Sequence, residues 1–260
     1  MIKYTVIDEQ LFRETEALKY EAVDPNSISV VMPFFNNWHL THQRLMELWK
    51  HVHIDEVVLV NDASTDDVDK AVAWWQKETP LPITYIKNEQ NLGFGKSMNK
   101  GIWTASGEIV ILLSNDVIVT GDFGIEVRKF IDLDTLIGNT LYDWDTGWNV
   151  FDMPDGKKMF PYLGGYFLAA YKDTFRELGG FDDRYGLFDF EDVDLSTRAV
   201  YMGYDLVPLN SLYLKHMSGQ TVRKSFPDRE KYTIENREKF YQKWKKIYYE
   251  NSGEFSDNNG

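Results

Sequence analysis

The chain contains no cysteine. That absence excludes disulfides, zinc–thiolate centres, iron–sulfur clusters and cysteine nucleophiles together, and it suits a reducing compartment. No apolar run approaches the roughly 18 residues that a membrane span requires. Met1 to Gln10 holds no apolar stretch of signal-peptide length either. The expectation is a soluble, cytoplasmic protein. Basic residues are in short supply, with 28 Lys and Arg against 41 Asp and Glu, a net charge of −13. Nucleic acid needs a basic footprint, so this balance argues against such a partner. It is still compatible with a small anionic ligand held by a nest of backbone N–H groups. Also lacking are internal repeats, low-complexity tracts before the tail, and any Pro-, Gly- or Ser-rich linker. What is plentiful is apolar material: 43% of the 260 residues are hydrophobic and 15% aromatic, enough for one large core.

The first half alternates strand and helix patterns. Ile28 to Phe35 is a β-branched and aromatic run stopped by Asn36-Asn37, and Leu40 to Lys50 follows with Leu45, Leu48 and Trp49 on one helical face. A buried-type strand, Glu56 to Val60, ends in Asn61-Asp62-Ala63-Ser64-Thr65-Asp66-Asp67. The next helix has its apolar face at Val68, Val72 and Trp75. Ile83 to Lys87 reads as a strand, Asn91 to Gly95 as a turn into a helix through Trp103, and Glu108 to Leu113 as a fourth strand before Ser114-Asn115-Asp116. This order predicts an α/β protein with a mostly parallel sheet and helices on both faces. Ligands of such sheets bind at the carboxyl ends of the strands, where Asn36, Asp62, Asn91 and Asp116 fall.

Beyond Thr120 the pattern is broken as far as Pro161. Leu163 to Tyr171 then reads as a strand, Lys172 to Leu178 as a short helix, and Glu191 to Met202 as a helix. Ser211 to His216 reads as a strand, and Asp228 to Glu250 as a long charged and aromatic helix before a solvated tail.

Several positions could carry chemistry, and each has a structural reading beside it. Asp62 either caps the next helix or accepts a hydrogen bond from a nucleobase, with Phe34 and Phe35 as core residues or as a stacking platform. Asn91-Leu92-Gly93-Phe94-Gly95-Lys96 is either a plain turn or a helix entrance holding phosphate oxygens, with Lys96 adding charge. Asp116 is a turn acid or a ligand for a hard cation. His216 is structural, a ligand or a base. Asp182, Asp183, Asp189, Glu191, Asp192 and Asp194 crowd into 13 residues. The helix dipole accounts for one or two of them, and crowding raises carboxyl pKa values toward base chemistry.

The order of these pieces resembles the family-2 glycosyltransferases of the GT-A fold, which move a sugar from a nucleotide-sugar with inversion. The resemblance rests on Val30 to Asn36, Val58 to Asp66, Asn91 to Gly95, Leu113 to Asp116, Gly179 to Asp182 and Glu191 to Leu195. It covers about Ile28 to His216. It implies a GT-A domain over 1–220, with a nucleotide-binding half at about 26–120 and an acceptor half at about 121–220, followed by a helix and tail over 221–260. It assigns the nucleotide-sugar to Pro33, Phe34, Asn36, Asp62, Asn91, Gly93, Lys96, Ser114 and Asn115. The metal, Mn²⁺ or Mg²⁺, goes to Asp116 and His216, the base to Asp192, and the acceptor to Glu191, Gly165 and Trp144. Ser114 stands where the family usually has the first acid of its Asp-X-Asp motif.

The expected activity is inverting transfer from a nucleoside-diphosphate sugar, of UDP or dTDP type, to a hydroxyl on a glycan or lipid-linked acceptor. A catalytically silent protein of the same fold is one alternative, because of Ser114. A sugar nucleotidyltransferase is another, although Asn36-Asn37-Trp38-His39 is not the Gly-rich phosphate loop it would need. The last helix carries Arg229, Lys231, Arg237, Lys239, Lys243, Lys245 and Lys246 against five acids, with Trp244, Tyr248 and Tyr249 interleaved. It either docks its aromatics on the core or makes a peripheral contact with an anionic membrane or a lipid-linked acceptor.

Overall fold

The structure is a computed structural model that describes residues 27–142, 161–217 and 229–252, the last stretch as backbone only from 246 onward. Its centre is a seven-stranded sheet. In chain order the elements are β1 (Ile28–Phe34), α1 (Trp38–His51), β2 (Glu56–Asn61), α2 (Asp69–Glu78), β3 (Ile83–Lys87), α3 (Phe94–Thr104) and β4 (Ile109–Leu113). Then come β5 (Val117–Val119), α4 (Phe123–Phe130), β6 (Thr135–Gly138), β7 (Leu141–Tyr142), β8 (Tyr162–Leu163), β9 (Phe167–Tyr171) and α5 (Lys172–Leu178). The described chain ends with α6 (Glu191–Met202), β10 (Asp205–Pro208), β11 (Leu214–His216) and α7 (Arg229–Ser252).

The sheet order is β10-β6-β9-β4-β1-β2-β3. β1 pairs in parallel with β2 and β4, β2 with β3, and β10 with β6, while β9 runs antiparallel between β4 and β6. Because side chains alternate along a strand, β1 feeds two cores. Ile28, Val30, Met32 and Phe34 meet Leu45 and Leu48 of α1 and Val72 and Trp75 of α2 on one face. Val31 meets Met98 and Ile102 of α3, Phe175 of α5 and Leu195 of α6 on the other. Helices therefore cover both faces, as the alternating sequence pattern predicts.

The order reverses beside β1: the chain builds outward through β2 and β3, then returns to place β4 on the opposite side. A crevice opens at such a switch point, beyond the carboxyl ends of the two diverging strands. Proline sharpens it. Pro33 has no N–H to donate, and the pairing of β1 with β4 ends earlier, at Val31–Leu112, while pairing with β2 continues to Phe34–Asn61.

Three local expectations change. The stretch read as broken, Thr120 to Pro161, contains α4, β6 and β7 among its described residues. Asp122 caps α4 by accepting from the Gly124 N–H at 2.9 Å. β6 is buried along its whole length, and its partner β10 was not read from the sequence. Elements of four to eight residues hold too few positions for a period to emerge. The strand expected from Leu163 to Tyr171 is cut at Gly164, because β8 pairs with β7 while β9 pairs with β4. The strand expected from Ser211 begins only at Leu214. Among the described residues no helix is long and apolar enough to cross a membrane.

α7 docks rather than standing apart. Phe240 and Trp244 join Tyr185, Phe190 and Val193 in a third apolar cluster. Lys243 pairs with Asp182 and Asp194, and Arg229 with Asp189, so part of its basic charge is spent inward on the acidic segment. Trp144, Tyr248 and Tyr249 lie outside the residues whose side chains are described.

Candidate active site

The crevice wall begins with the turn after β1. Asn36 and Asn37 both have left-handed backbone, φ 53° and 52°, which asparagine tolerates better than most residues. The Asn36 N–H donates to Ser64 Oγ at 2.8 Å, and its side-chain oxygen accepts from the Thr65 N–H at 2.7 Å. Asn36 thus ties the turn after β1 to the turn after β2. Of its two readings, Phe34 takes that of a core residue. Its ring is 3% exposed, packed in the core with Trp38 at 5.8 Å. It ends a fully buried strand, and the alternation of β1 puts it with Ile28, Val30 and Met32 in the core against α1 and α2.

Asp62 has a definite structural task. Oδ1 accepts from Asn88 Nδ2 and from the Leu92 N–H, both at 2.8 Å, and Oδ2 accepts from the Gly93 N–H at 3.0 Å. The carboxylate thereby occupies the N–H groups that the Asn91–Lys96 turn was expected to offer to phosphate. The next one, Phe94 N–H, donates to the Leu187 carbonyl at 2.8 Å. Gly93 is required here: its φ is +86°, and a Cβ would lie 2.4 Å from the Gly186 carbonyl oxygen. Asn91 caps its own turn through the Gly93 N–H at 3.1 Å, and Lys96 sits half-buried in the first turn of α3. A carboxylate offers about four lone-pair directions, and Asp62 uses three of them on this loop.

After β4, Asn115, which the resemblance assigned to the nucleotide-sugar, is buried and donates to Thr41 Oγ1 of α1 at 3.1 Å. Ser114 Oγ donates to Asp116 Oδ1 at 2.7 Å. His216, on β11, is brought opposite because β11 pairs antiparallel with β5. Its Nε2 lies 3.4 Å from Asp116 Oδ1, and its ring stacks on Tyr166 at 4.2 Å with 15° between the planes. The fold therefore gathers Asp116, Ser114 and His216 from positions about a hundred residues apart in sequence. Among the described residues no group of three or more His, Asp or Glu forms a metal cage.

Five of the six acids in the acidic segment separate into two kinds of carboxylate. Asp182, Asp189 and Asp194 are neutralised. Lys243 and Arg184 reach Asp182, each at 2.8 Å. Burial alone would raise its pKa, but these partners hold it down to about 2. Asp194, fully buried, accepts from Tyr185 Oη, Trp244 Nε1, Arg198 Nε and Lys243 Nζ. Asp189 pairs with Arg229 and accepts from Thr233 Oγ1 at 2.6 Å.

Glu191 and Asp192 are different. Glu191 is buried, and its Oε2 has no hydrogen-bond partner; burial first, then the Asp192 charge, pushes its pKa well up. Asp192 accepts from the Gly165 N–H at 2.8 Å through Oδ2 and from the Val193 N–H at 2.8 Å through Oδ1. Those two bonds lower its pKa, yet burial outweighs them and the pKa rises to about 6. The principal cause is thus burial rather than the crowding of acids that the sequence suggested. Gly165 is essential to the contact, because a Cβ there would stand 2.9 Å from Asp192 Cβ.

Asp189 and Phe190, which lead into α6, both adopt left-handed backbone, φ 71° and 79°. Such positions cost roughly 1–3 kcal/mol each for residues other than glycine and persist only where the surroundings dictate them.

Aromatic side chains missed by the sequence reading line the same side. Tyr142 and Tyr162 stack at 5.2 Å, and Asp192 adds to the upward pKa shift that burial causes in both. Tyr166 Oη bonds Thr140 Oγ1 at 2.6 Å. The spacing of Tyr162 and Tyr166 about Gly164-Gly165 was the available signal.

The sequence profile of Glycosyl transferase family 2 matches residues 29–174. An uncharacterized glycosyltransferase of Rickettsia bellii (strain RML369-C) is 29% identical over 90 residues, 34% of this chain and 13% of that protein. Inactive polypeptide N-acetylgalactosaminyltransferase-like protein 5 of Macaca fascicularis is 24% identical over 233 residues, 76% of this chain and 53% of that protein. The chain thus spans about half, or far less, of these relatives. Among solved structures, a mannosyltransferase from Pyrobaculum calidifontis in complex with GDP-Man and Mn²⁺ aligns with TM-score 0.58 and 21% identity, covering 75% of this chain and 59% of that one. GalNAc-T7 with UDP, GalNAc and Mn²⁺ aligns with TM-score 0.59 and 18% identity, covering 74% and 43%. TarS 1–349 of S. aureus in complex with UDP aligns with TM-score 0.54 and 18% identity, covering 72% and 59%.

Proposed function

Because the chain belongs to glycosyl transferase family 2, we propose that it transfers a sugar from a nucleoside-diphosphate donor to a hydroxyl acceptor with inversion, Asp192 acting as general base. The observation that carries this reading is the environment of Asp192. It sits at the entrance of α6, with a pKa raised to about 6 and an orientation set by the Gly165 N–H. A base poised near neutral pH is effective, because it is both ionised and able to hold a proton. In the proposed step the acceptor oxygen gives its proton to Asp192 and bonds to the anomeric carbon. The bond from that carbon to phosphate oxygen breaks, and its electron pair leaves with the nucleoside diphosphate. Asp194 is no substitute base, since its oxygens are already committed to four partners.

Asp116 and Ser114 after β4, with His216 from β11, would hold the divalent cation of this reading. A carboxylate, an imidazole and a hydroxyl at Asp116, His216 and Ser114 suit Mn²⁺ or Mg²⁺, whose remaining ligands would come from the donor diphosphate and water. When bound, the cation would supply charge neutralisation at the departing phosphate. Asp62 and the turn it organises would shape the base pocket, for which a UDP- or dTDP-type donor is the favoured class. The acceptor, a glycan or lipid-linked hydroxyl in this reading, would approach past Tyr142 and Tyr162.

A second reading is a silent binding protein of the same fold. It is favoured by Ser114 in place of an acid and by the relative named inactive. The test begins with a thermal-shift screen of nucleoside diphosphates and nucleotide-sugars with and without Mn²⁺. With a donor in hand, Asp192→Asn should bind it within a few-fold of wild type while turnover falls by about 10²–10⁴. Turnover of the wild type should fall as pH drops through about 6, where Asp192 takes up its proton. Near-wild-type turnover by Asp192→Asn refutes the assignment, and wild-type protein that binds donor without consuming it supports the silent reading.

A further inference from the structure

What holds the Asp192 region comes from a helix outside the matched family segment. α7 presents Arg229, Thr233, Asn236, Phe240, Lys243 and Trp244 on one face, spaced four, three, four, three and one. Every one of them lands on the segment around Asp192. Asn236, buried, turns its single amide onto the carbonyls of Tyr185, of Phe188 at 2.8 Å and of Asp189 at 3.0 Å. Arg229 and Thr233 hold the Asp189 carboxylate. Phe240 packs its ring on Phe190 at 5.8 Å. Lys243 and Trp244 fix Asp194. The anchored residues, 189, 190 and 194, bracket Asp192 on both sides.

We propose that α7 is the positioning element of the proposed base, and that Asn236 is its principal positioning residue. By sharing its two N–H donors among the carbonyls of 185, 188 and 189 it maintains the left-handed Asp189–Phe190 turn from which Asp192 meets the Gly165 N–H. Neither left-handed residue is glycine, so the turn depends on its surroundings. This inference rests on the reading of Asp192 as base, but the geometry it concerns can be measured without substrate. A small displacement at this point matters, because misplacing a reacting group by about 1 Å can cost 10²-fold in rate.

The experiment is a titration of ¹³C-carboxyl-labelled aspartate by NMR, with Asp192 assigned through Asp192→Asn. The groups facing Asp192 are Asp189 and Glu191 on its own segment, Tyr142 and Tyr162 from β7 and β8, and Arg229 from α7. In the wild type the midpoint should lie near about 6. In Asn236→Ala the turn relaxes, water reaches the carboxyl, and the midpoint should fall toward the ordinary value of about 4. Thr233→Val, a milder change that keeps the fold, should move it less and in the same direction. Val127→Ala in α4, remote from the site, should lower the melting temperature and leave the midpoint alone. Midpoints in Asn236→Ala and Thr233→Val that coincide with wild type overturn the proposal. Where a transferred sugar is measurable, the acid limb of kcat should move with the midpoint while donor KM stays within about twofold. A moved midpoint without any transfer retains the clamp and removes the catalytic reading instead.

Discussion

Asp192→Asn should change how stability depends on pH, and the effect follows from one carboxyl group. The folded protein raises the Asp192 pKa from 3.8 to about 6, so the folded state binds this proton more tightly than the unfolded chain does. Well below the ordinary value of 3.8 the group is protonated in both states and its contribution is intact. As pH rises toward and through about 6, ionisation in the unfolded chain draws the balance away from the fold. Between pH 4.5 and 7.5 about 1.5 units of this shift are expressed. At 1.36 kcal/mol per unit that is roughly 2 kcal/mol, trimmed to about 1–2 kcal/mol because Asp192 is half-buried and solvent screens part of it.

The Asn variant cannot ionise and should not lose this stability. Its absolute melting temperature includes a second effect, since an amide accepts from only one of the Gly165 and Val193 N–H groups. The change in the difference between variant and wild type cancels that offset. On going from pH 4.5 to 7.5, the variant should gain on wild type by about 2–8 °C, using roughly 2–4 °C per kcal/mol for a chain of this size. Differential scanning calorimetry at both pH values measures it. A difference that stays constant, or moves the other way, would falsify the view that burial raises this group.

Two further outcomes test the crevice. Mn²⁺ should strengthen the thermal shift given by a nucleoside diphosphate, and Asp116→Asn should abolish that gain; a gain that survives removes Asp116 from cation binding. Asp62→Ala should weaken nucleoside diphosphate binding by roughly 1–3 kcal/mol in calorimetry and also lower the melting temperature, because Asn88, Leu92 and Gly93 lose their acceptor. A lowered melting temperature with unchanged affinity assigns Asp62 to the loop alone.

The sequence by itself determined the alternation of strands and helices in the first half, the strand ends where a ligand would sit, and the order of the polar clusters. Those are local properties: period, β-branching and turn chemistry act within a few residues of one another. Short elements such as β6 and β10 stayed hidden, because four residues carry no period and their pairing partners lie far along the chain. The same holds for the site. Six acids in one segment look equivalent in sequence, and only the tertiary structure decided which were neutralised and which were left to titrate. Lys243 and Trp244 reach Asp194 from about fifty residues away, and Arg229 reaches Asp189 from 40. Phe34 and Asn115 turned out to face the core and α1, and Asp62 the loop after β3, because a side chain's direction follows from register and packing. Among the described residues no ion pair reaches Glu191 or Asp192, and burial limits the access of Asp192 to water. That is a consequence of where α6, α7 and the Gly164–Gly165 turn meet, and no residue of the segment carries it alone.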